Sequence, residues 1–369
     1  MLYAFELSGE HGELPRAEVL ACLDIAGAVY SEHAFFDQCL VVDIEGICGI
    51  CGICGICGIC GIDEIDSTNC SADIIDKKME WFAERLAFSH HIVKVAGICD
   101  TDIDTIIEMA EKFDIGKHIV AGETYVVRAK RIQHNTRVNG ANLEGRVGGS
   151  IYRKGYSADM KNPDVEFRLI LTERCVFGSI VASIDRSAYE ARSPQKKPFF
   201  YPGVLMPRMA RALVNFSKAG EGDLFFDPFC GTAGILVEAG LVGADVMGVD
   251  VQEKIIGGAK MNLEAFLPDY SLFVGDACRI PLVDGCVDAI VTDPPYGRSA
   301  TIRAESLDHL YAHSFAEMYR VLKSGKMAVV VSEQPVDGFA RDAGFVVAET
   351  YLQKVHKSLT RRILVLRKE

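Results

Sequence analysis

Leu224-Phe225-Phe226-Asp227-Pro228-Phe229-Cys230-Gly231-Thr232-Ala233-Gly234 is an apolar run that stops on an acid, turns through proline and glycine, and passes into the helical composition of Ile235 to Ala239. A buried strand, a glycine-bearing turn and a helix, in that order, begin a βαβ unit, and the strand–helix alternation continues downstream. It predicts a parallel sheet with helices on both faces, a fold that binds ligands at the carboxyl ends of its strands. Glycine in such a turn lets backbone approach a ligand. The dinucleotide fingerprint G-x-G-x-x-G is absent, however, and an acid precedes the turn instead.

Outward from this stretch, each following strand also ends in an acid. Val246-Met247-Gly248-Val249 ends at Asp250, followed by Val251, and an acid there is placed for ribose hydroxyls. Leu272-Phe273-Val274 ends in Gly275-Asp276-Ala277, where Asp276 can accept from an adenine amino group. Asp288 to Thr292 runs into Asp293-Pro294-Pro295-Tyr296-Gly297, a stiff platform. Tyr296 offers a stacking face, and Asp293 and the Pro294 carbonyl offer acceptors, which suits a flat ring bearing an amine. Such an amine is a poor nucleophile because its lone pair is delocalised into the ring. Acceptors that bind its hydrogens direct the lone pair and stabilise the charge that develops on nitrogen, and Asp293 is the natural first proton acceptor. Alone, Asp-Pro-Pro-Tyr could equally be a rigid turn; the three upstream acids decide for chemistry. Cys230 has no His or Asp arranged to make it a nucleophile, so it reads as packing, as do Cys278 and Cys286.

The chain has 369 residues, enough for two or three domains, and 49% of them are hydrophobic. No apolar run is as long as a membrane span, and Glu6 and Glu10 stand where a signal peptide would be basic, so a cytoplasmic protein is expected. Thirteen cysteines in such a chain read as mostly reduced thiols. The net charge of −12 argues against an indiscriminate nucleic-acid binder. Yet Arg128, Lys130, Arg131, Arg137, Arg146, Arg153 and Lys154 stand against one acid, Glu144, a net +6 that leaves the rest at −18. Lys354 to Lys368 adds six basic residues and no acid. Two basic patches on an acidic body fit a specific polyanion.

Leu2 to Phe5 alternates as a strand, Arg16 to Ala26 is helical in composition, and Phe36 to Ile44 reads as a second strand. Gly-Ile-Cys then repeats five times from Gly46 to Cys60. The spacing invites a metal centre, but a uniform repeat fixes no closed ligand geometry, so a loop without metal is expected. Ile74 to Ser89 and Thr105 to Phe113 have helical spacing, with His90 and His91 as loop or core residues. Thr124 to Lys130 alternates as a strand. The basic segment after it carries Gly140, Gly145, Gly148 and Gly149, so backbone could approach a phosphate there. Ser187 to Pro202 reads as an extended linker before a helix over Pro207 to Phe216.

Several stretches resemble known families. Gly145-Arg146-Val147-Gly148-Gly149-Ser150-Ile151 with Lys161-Asn162-Pro163-Asp164-Val165-Glu166-Phe167 looks like the end of a THUMP domain, an RNA-binding module of tRNA-modifying enzymes. The acids Asp227, Asp250, Asp276 and Asp293 at four successive strand ends resemble class I S-adenosylmethionine-dependent methyltransferases. Adding Lys197-Pro198-Phe199-Phe200-Tyr201-Pro202-Gly203 and His356-Lys357-Ser358-Leu359-Thr360-Arg361-Arg362, the chain is similar to the archaeal tRNA guanine-10 N2-methyltransferase family. The resemblance implies an α/β chain. A C-terminal class I, Rossmann-like methyltransferase domain with a mainly parallel sheet (203–369) would follow a ferredoxin-like α+β unit with the repeat loop (1–62), a THUMP-like domain (63–172) and a linker (173–202).

It implies S-adenosylmethionine as cofactor, held by Pro202, Asp227, Pro228, Cys230, Gly231, Thr232, Gly234, Asp250, Val251, Asp276, Ala277 and Asp293, and no metal. Asp293, Pro294, Pro295 and Tyr296 would carry the chemistry, methylating N2 of guanosine 10 once or twice. Arg128, Lys130, Arg131, Arg146, Arg153, Lys154, Arg298, Arg361 and Arg362 would contact RNA, with the acceptor end and core of tRNA as the partner. A monomer with an optional small activator protein is expected. Three readings stay open beside it: a tRNA guanosine-6 N2-methyltransferase, whose motif usually begins with Asn, a DNA adenine N6-methyltransferase, and an adaptor with a degenerate catalytic half.

Overall fold

The computed structural model describes residues 1–47, 72–132, 138–296, 306–356 and 359–369. The repeat from Cys48 onward, Arg137 and Arg298 lie outside the described residues. The chain divides into two units, Met1–Glu10 with Ala26–Asp185, and His11–Ile25 with Arg186–Glu369.

The first unit is built on one eight-stranded sheet in the order β2-β3-β1-β4-β8-β7-β5-β6. Its strands are β1 (Leu2–Leu7), β2 (Ala28–Phe36), β3 (Cys39–Ile47), β4 (Ser89–Asp100), β5 (Thr124–Arg131), β6 (Ser157–Ala158), β7 (Val165–Leu171) and β8 (Arg174–Ser183). The strand expected over Phe36 to Ile44 is one arm of a hairpin. Asp37, at φ 53°, makes the tight turn between β2 and β3, a conformation Asp tolerates better than most residues. Long β4 pairs with β1 on one side and β8 on the other, so one ladder runs from the opening unit into the THUMP-like part. His90 and His91 lie on β4, and His91 Nδ1 is 2.9 Å from Ser183 Oγ of β8.

Helices α2 (Ala72–Arg85), α3 (Ile103–Lys112) and α4 (Gly140–Arg153) belong to the same unit, α3 and α4 being capped by Asp102 and Asn139. Helices α3 and α4 bury Ile106, Leu143, Val147 and Ile151 against Phe167, Leu169 and Phe177 of β7 and β8. Gly140, Gly145, Gly148 and Gly149 sit within α4, whose Val147 and Ile151 recur on the face that meets the sheet. The span 173–202, expected as a linker, begins with strand β8, whose Cys175 to Phe177 is buried at the sheet's centre.

The second unit carries a seven-stranded sheet in the order β11-β10-β9-β12-β13-β15-β14. It comprises β9 (Leu224–Asp227), β10 (Asp245–Asp250), β11 (Ser271–Val274), β12 (Val287–Thr292), β13 (Leu322–Ser332), β14 (Val346–His356) and β15 (Leu359–Arg367). The first five in this order are parallel, and β15 enters antiparallel between β13 and β14. The basic tail is thus a sheet strand, with Ile363 to Leu366 buried. Helices α5 (Ser187–Ala191), α6 (Pro207–Phe216), α7 (Gly234–Gly240), α8 (Glu253–Glu264), α9 (Leu307–Val321) and α10 (Asp337–Asp342) complete the alternation.

Helix α1 (Leu14–Ile25) is inserted in sequence between β1 and β2 yet belongs to the second unit. It packs on α6, where buried Asn215 donates to Glu18 Oε1 at 2.9 Å and Lys218 pairs with Asp24 at 2.6 Å. Helix α6 is buried on nearly every side, as a helix enclosed by neighbours must be.

Candidate active site

A cavity of about 260 Å³ opens at the carboxyl ends of β9, β10, β11 and β12. Its lining includes all four strand-end acids, Asp227, Asp250, Asp276 and Asp293, together with Pro202, Cys230, Gly231, Thr232, Gly234 and Val251. Each stands where its strand stops, because the parallel ladder brings adjacent strand ends together at the point where strand order reverses. Pro228 and Ala277 are not in the lining, and Ala277 is buried.

The loop after β9 is shaped by backbone constraints. Gly231 takes φ 51° and Ala233 φ 62°, both left-handed, and Cys230 N–H donates to Val249 O of β10 at 2.9 Å. Gly248 of β10 lies beneath; a Cβ there would come within 2.8 Å of the Cys230 Cβ and 2.5 Å of Leu236 Cδ1. Cys230 is thus a packing residue of the loop floor, and burial pushes its thiol pKa well up.

Asp227 is almost wholly buried. Its Oδ1 accepts from Thr292 Oγ1 at 2.7 Å and from Phe229 N–H at 3.1 Å. Burial raises its pKa to about 7 despite those bonds. Asp250 accepts from Gly231 N–H through Oδ2 (3.2 Å) and from Gln252 N–H through Oδ1 (2.9 Å), which pins the loop to the end of β10. Its pKa is also raised by burial. Asp276 Oδ1 accepts from Cys278 N–H at 2.9 Å.

On the opposite wall, burial pushes Asp293 up to about 6, while the Tyr296 hydroxyl, which donates to its Oδ1, and the charge of Arg361 pull it back. Arg361 of β15 stands against the Tyr296 hydroxyl. Tyr311 of α9 donates to the Pro295 carbonyl at 3.2 Å, whereas no described donor reaches the Pro294 carbonyl. The basic tail thus delivers Arg361 to the platform, and Arg362 faces Asp337 at 3.6 Å.

The sequence reading missed several participants. Tyr201, Val204, Leu205, Gln252, Ile255 and Leu310 also line the cavity. Asn262 of α8 donates to the carbonyls of Phe199 (2.9 Å) and Thr232 (3.0 Å) and accepts from Phe199 N–H (2.9 Å). It fastens the approach segment to the glycine loop, and no local signal marks an asparagine that acts 63 residues from its partner. Among the described residues no group of His, Cys, Asp and Glu is placed to hold a metal.

The basic residues of the first unit divide by partner. Arg128 donates to Met160 O (3.3 Å), Arg146 faces Asp104 (3.7 Å), Arg153 pairs with Glu111 (2.9 Å), and Lys154 donates to Phe113 O (2.7 Å). Lys130 and Arg131 are exposed at the end of β5.

The RMKL-like methyltransferase domain model matches residues 194–363, and the THUMP domain model residues 100–179. The tRNA (guanine(10)-N2)-dimethyltransferase of Methanothermobacter thermautotrophicus is 34% identical over 77% of this chain and 83% of its own. That of Pyrococcus abyssi is 34% identical over 77% and 85%. Among solved structures, TrmN from Thermus thermophilus aligns over 100% of both chains at a TM-score of 0.53 and 19% identity, a likeness of fold. With the strand-end acids gathered round one cavity, the chain belongs to the tRNA (guanine(10)-N2)-dimethyltransferase family.

Proposed function

We propose that this chain transfers methyl groups to the N2 amine of guanosine 10 in tRNA, twice in succession. The observation that carries the reading is the convergence of Asp227, Asp250, Asp276 and Asp293 on one cavity, with Tyr296 beside the last. S-adenosylmethionine is the cofactor, and when bound it supplies a methyl group already activated on a cationic sulfur, which calls for no metal. Asp250 and Asp276 suit its ribose and adenine edge, and Asp227 with the Gly231–Gly234 loop suits its amino-acid end.

The protein's own contribution is orientation and proton handling. Asp293 and the Pro294 carbonyl accept the hydrogens of the amine, Tyr296 stacks on the base, and Asp293 takes the proton released. A first methyl leaves one N–H on the amine, enough for one acceptor to orient it again. The THUMP-like part grips the acceptor end, with Lys130 and Arg131 as its exposed cations. The enzyme works as a monomer in the cytoplasm. Among the described residues no helix is long and apolar enough to cross a membrane. Outer strand β11, with Phe273 and Val274 exposed, offers an edge to a small activator protein that would add a strand.

Incubating unmodified tRNA transcripts with labelled cofactor, then mapping the modified nucleotide by mass spectrometry of nuclease fragments, tests the assignment. Mono- and then dimethylated guanosine at position 10 is expected. Label at position 6 or nowhere would replace it with one of the rival readings, and a parallel incubation with duplex DNA that labels adenine would replace it with the DNA one.

A further inference from the structure

Lys197 lies just ahead of the Phe199–Gly203 approach segment, beside the glycine loop. A methyl group placed on Gly234 would stand 3.8 Å from its Nζ, and Gly234 lines the cavity. The acid whose charge acts on it is Glu238 of α7, but that carboxylate is already committed. Arg192 holds both its oxygens (2.8 and 3.1 Å) and Arg211 adds a third contact at 3.0 Å, with all three side chains buried or nearly so. Lys197 feels attraction from Glu238 and repulsion from Arg192, and among the described residues nothing pairs with its ammonium. Burial correspondingly pulls its pKa down.

A cation drawn out of water without a partner is costly, and the cost falls if an anion joins it. Lys197 is not itself among the cavity's lining residues, so an anion in the cavity would meet its ammonium beside Gly234. Asp227 lines the same cavity beneath the loop, a buried acid suited to a cationic group. An acid and a base flanking one glycine loop are complementary to the zwitterion of an α-amino acid.

We infer that Lys197 binds the α-carboxylate at the amino-acid end of S-adenosylmethionine and thereby sets the preference for a cofactor that carries it. The inference rests on the cofactor reading above. It gives the motif Lys197-Pro198-Phe199 a role beyond leading the chain into the catalytic unit. The proline holds the lysine's backbone in an extended conformation, and Asn262 ties Phe199, two residues on, to the loop the lysine faces.

Isothermal titration calorimetry of the full chain with S-adenosylmethionine and with its decarboxylated analogue tests this. The wild type should prefer the carboxylated ligand by about 10- to 100-fold, the worth of a charge-assisted bond. Lys197→Gln should bring the two within about threefold of each other by weakening only the carboxylated ligand, and Lys197→Arg should keep most of the preference. A wild type that binds both equally overturns the inference without recourse to any variant. So does a Lys197→Gln protein that loses both ligands in proportion, which would make the lysine structural. A wild type that binds neither would instead sink the cofactor reading, a separate result.

Discussion

The hydroxyl of Tyr296 donates to Oδ1 of Asp293, and Arg361 from a strand 65 positions further along stands against the same hydroxyl. One carboxylate oxygen is therefore engaged before any base arrives, and the other is left to accept from the amine. The arrangement also favours the ionised form of an acid that burial pushes up to about 6. Activity that needs ionised Asp293 should fall as pH drops through 6. Tyr296→Phe keeps the stacking ring and loses the bond, so the acid limb of kcat/KM should move to higher pH, and Arg361→Met should move it the same way. An unmoved limb in both variants would remove the assigned electrostatics.

Asp293→Ala should abolish methyl transfer while changing cofactor affinity by no more than a few fold, as measured by calorimetry. Asp293→Asn keeps an acceptor oxygen but cannot take a proton, and a loss of about 100-fold in kcat is expected for a missing general base. Turnover retained in the alanine variant would exclude the proton-acceptor role.

Asp227 pairs stability with pH in the opposite sense from a surface salt bridge. Its folded pKa of about 7 lies above the ordinary 3.8, so the folded protein holds that proton more tightly than the unfolded chain. The resulting stability is complete below the ordinary value and is lost as pH rises through 7. Asp227→Asn removes the buried charge, so its melting temperature should exceed the wild type's by more at pH 8 than at pH 5, while cofactor affinity falls. A gain independent of pH would contradict the burial argument.

tRNA lacking its 3′ end should be a poor substrate, bound weakly and with a shallower salt dependence than the intact molecule. Replacing Lys130 and Arg131 with alanine should reduce the slope of log K against log salt by about 2, since each phosphate contact contributes roughly one counterion. Equal rates on whole and truncated RNA would take the grip away from the THUMP-like part.

The catalytic half was legible because its signals are local. Asp227, Asp250, Asp276 and Asp293 each end an apolar run, and strand ends meet in a parallel sheet whatever the intervening sequence. The placement of β8 was not legible, since a strand such as Arg174–Ser183 shows its identity only through the ladder it joins with β4 and β7. Arg361 was read as an RNA contact on a basic tail. Only the antiparallel insertion of β15 brings it to Tyr296. Asn262 and Lys197 act through tertiary contacts alone, one bridging two carbonyls and the other facing a glycine far along the chain.

The place of α1 sets an order of events in synthesis. Glu18 and its partner Asn215 are 197 residues apart, so at roughly 5–20 residues per second the helix waits about 10–40 s for α6 to be made. By then the strands between Ala28 and Ser183, those of the RNA-binding unit, have been translated. A ribosome that stops in between leaves a chain with an RNA-binding sheet and no methyl-transfer cavity. The second unit is thus completed by a helix translated before every strand of the first unit but β1.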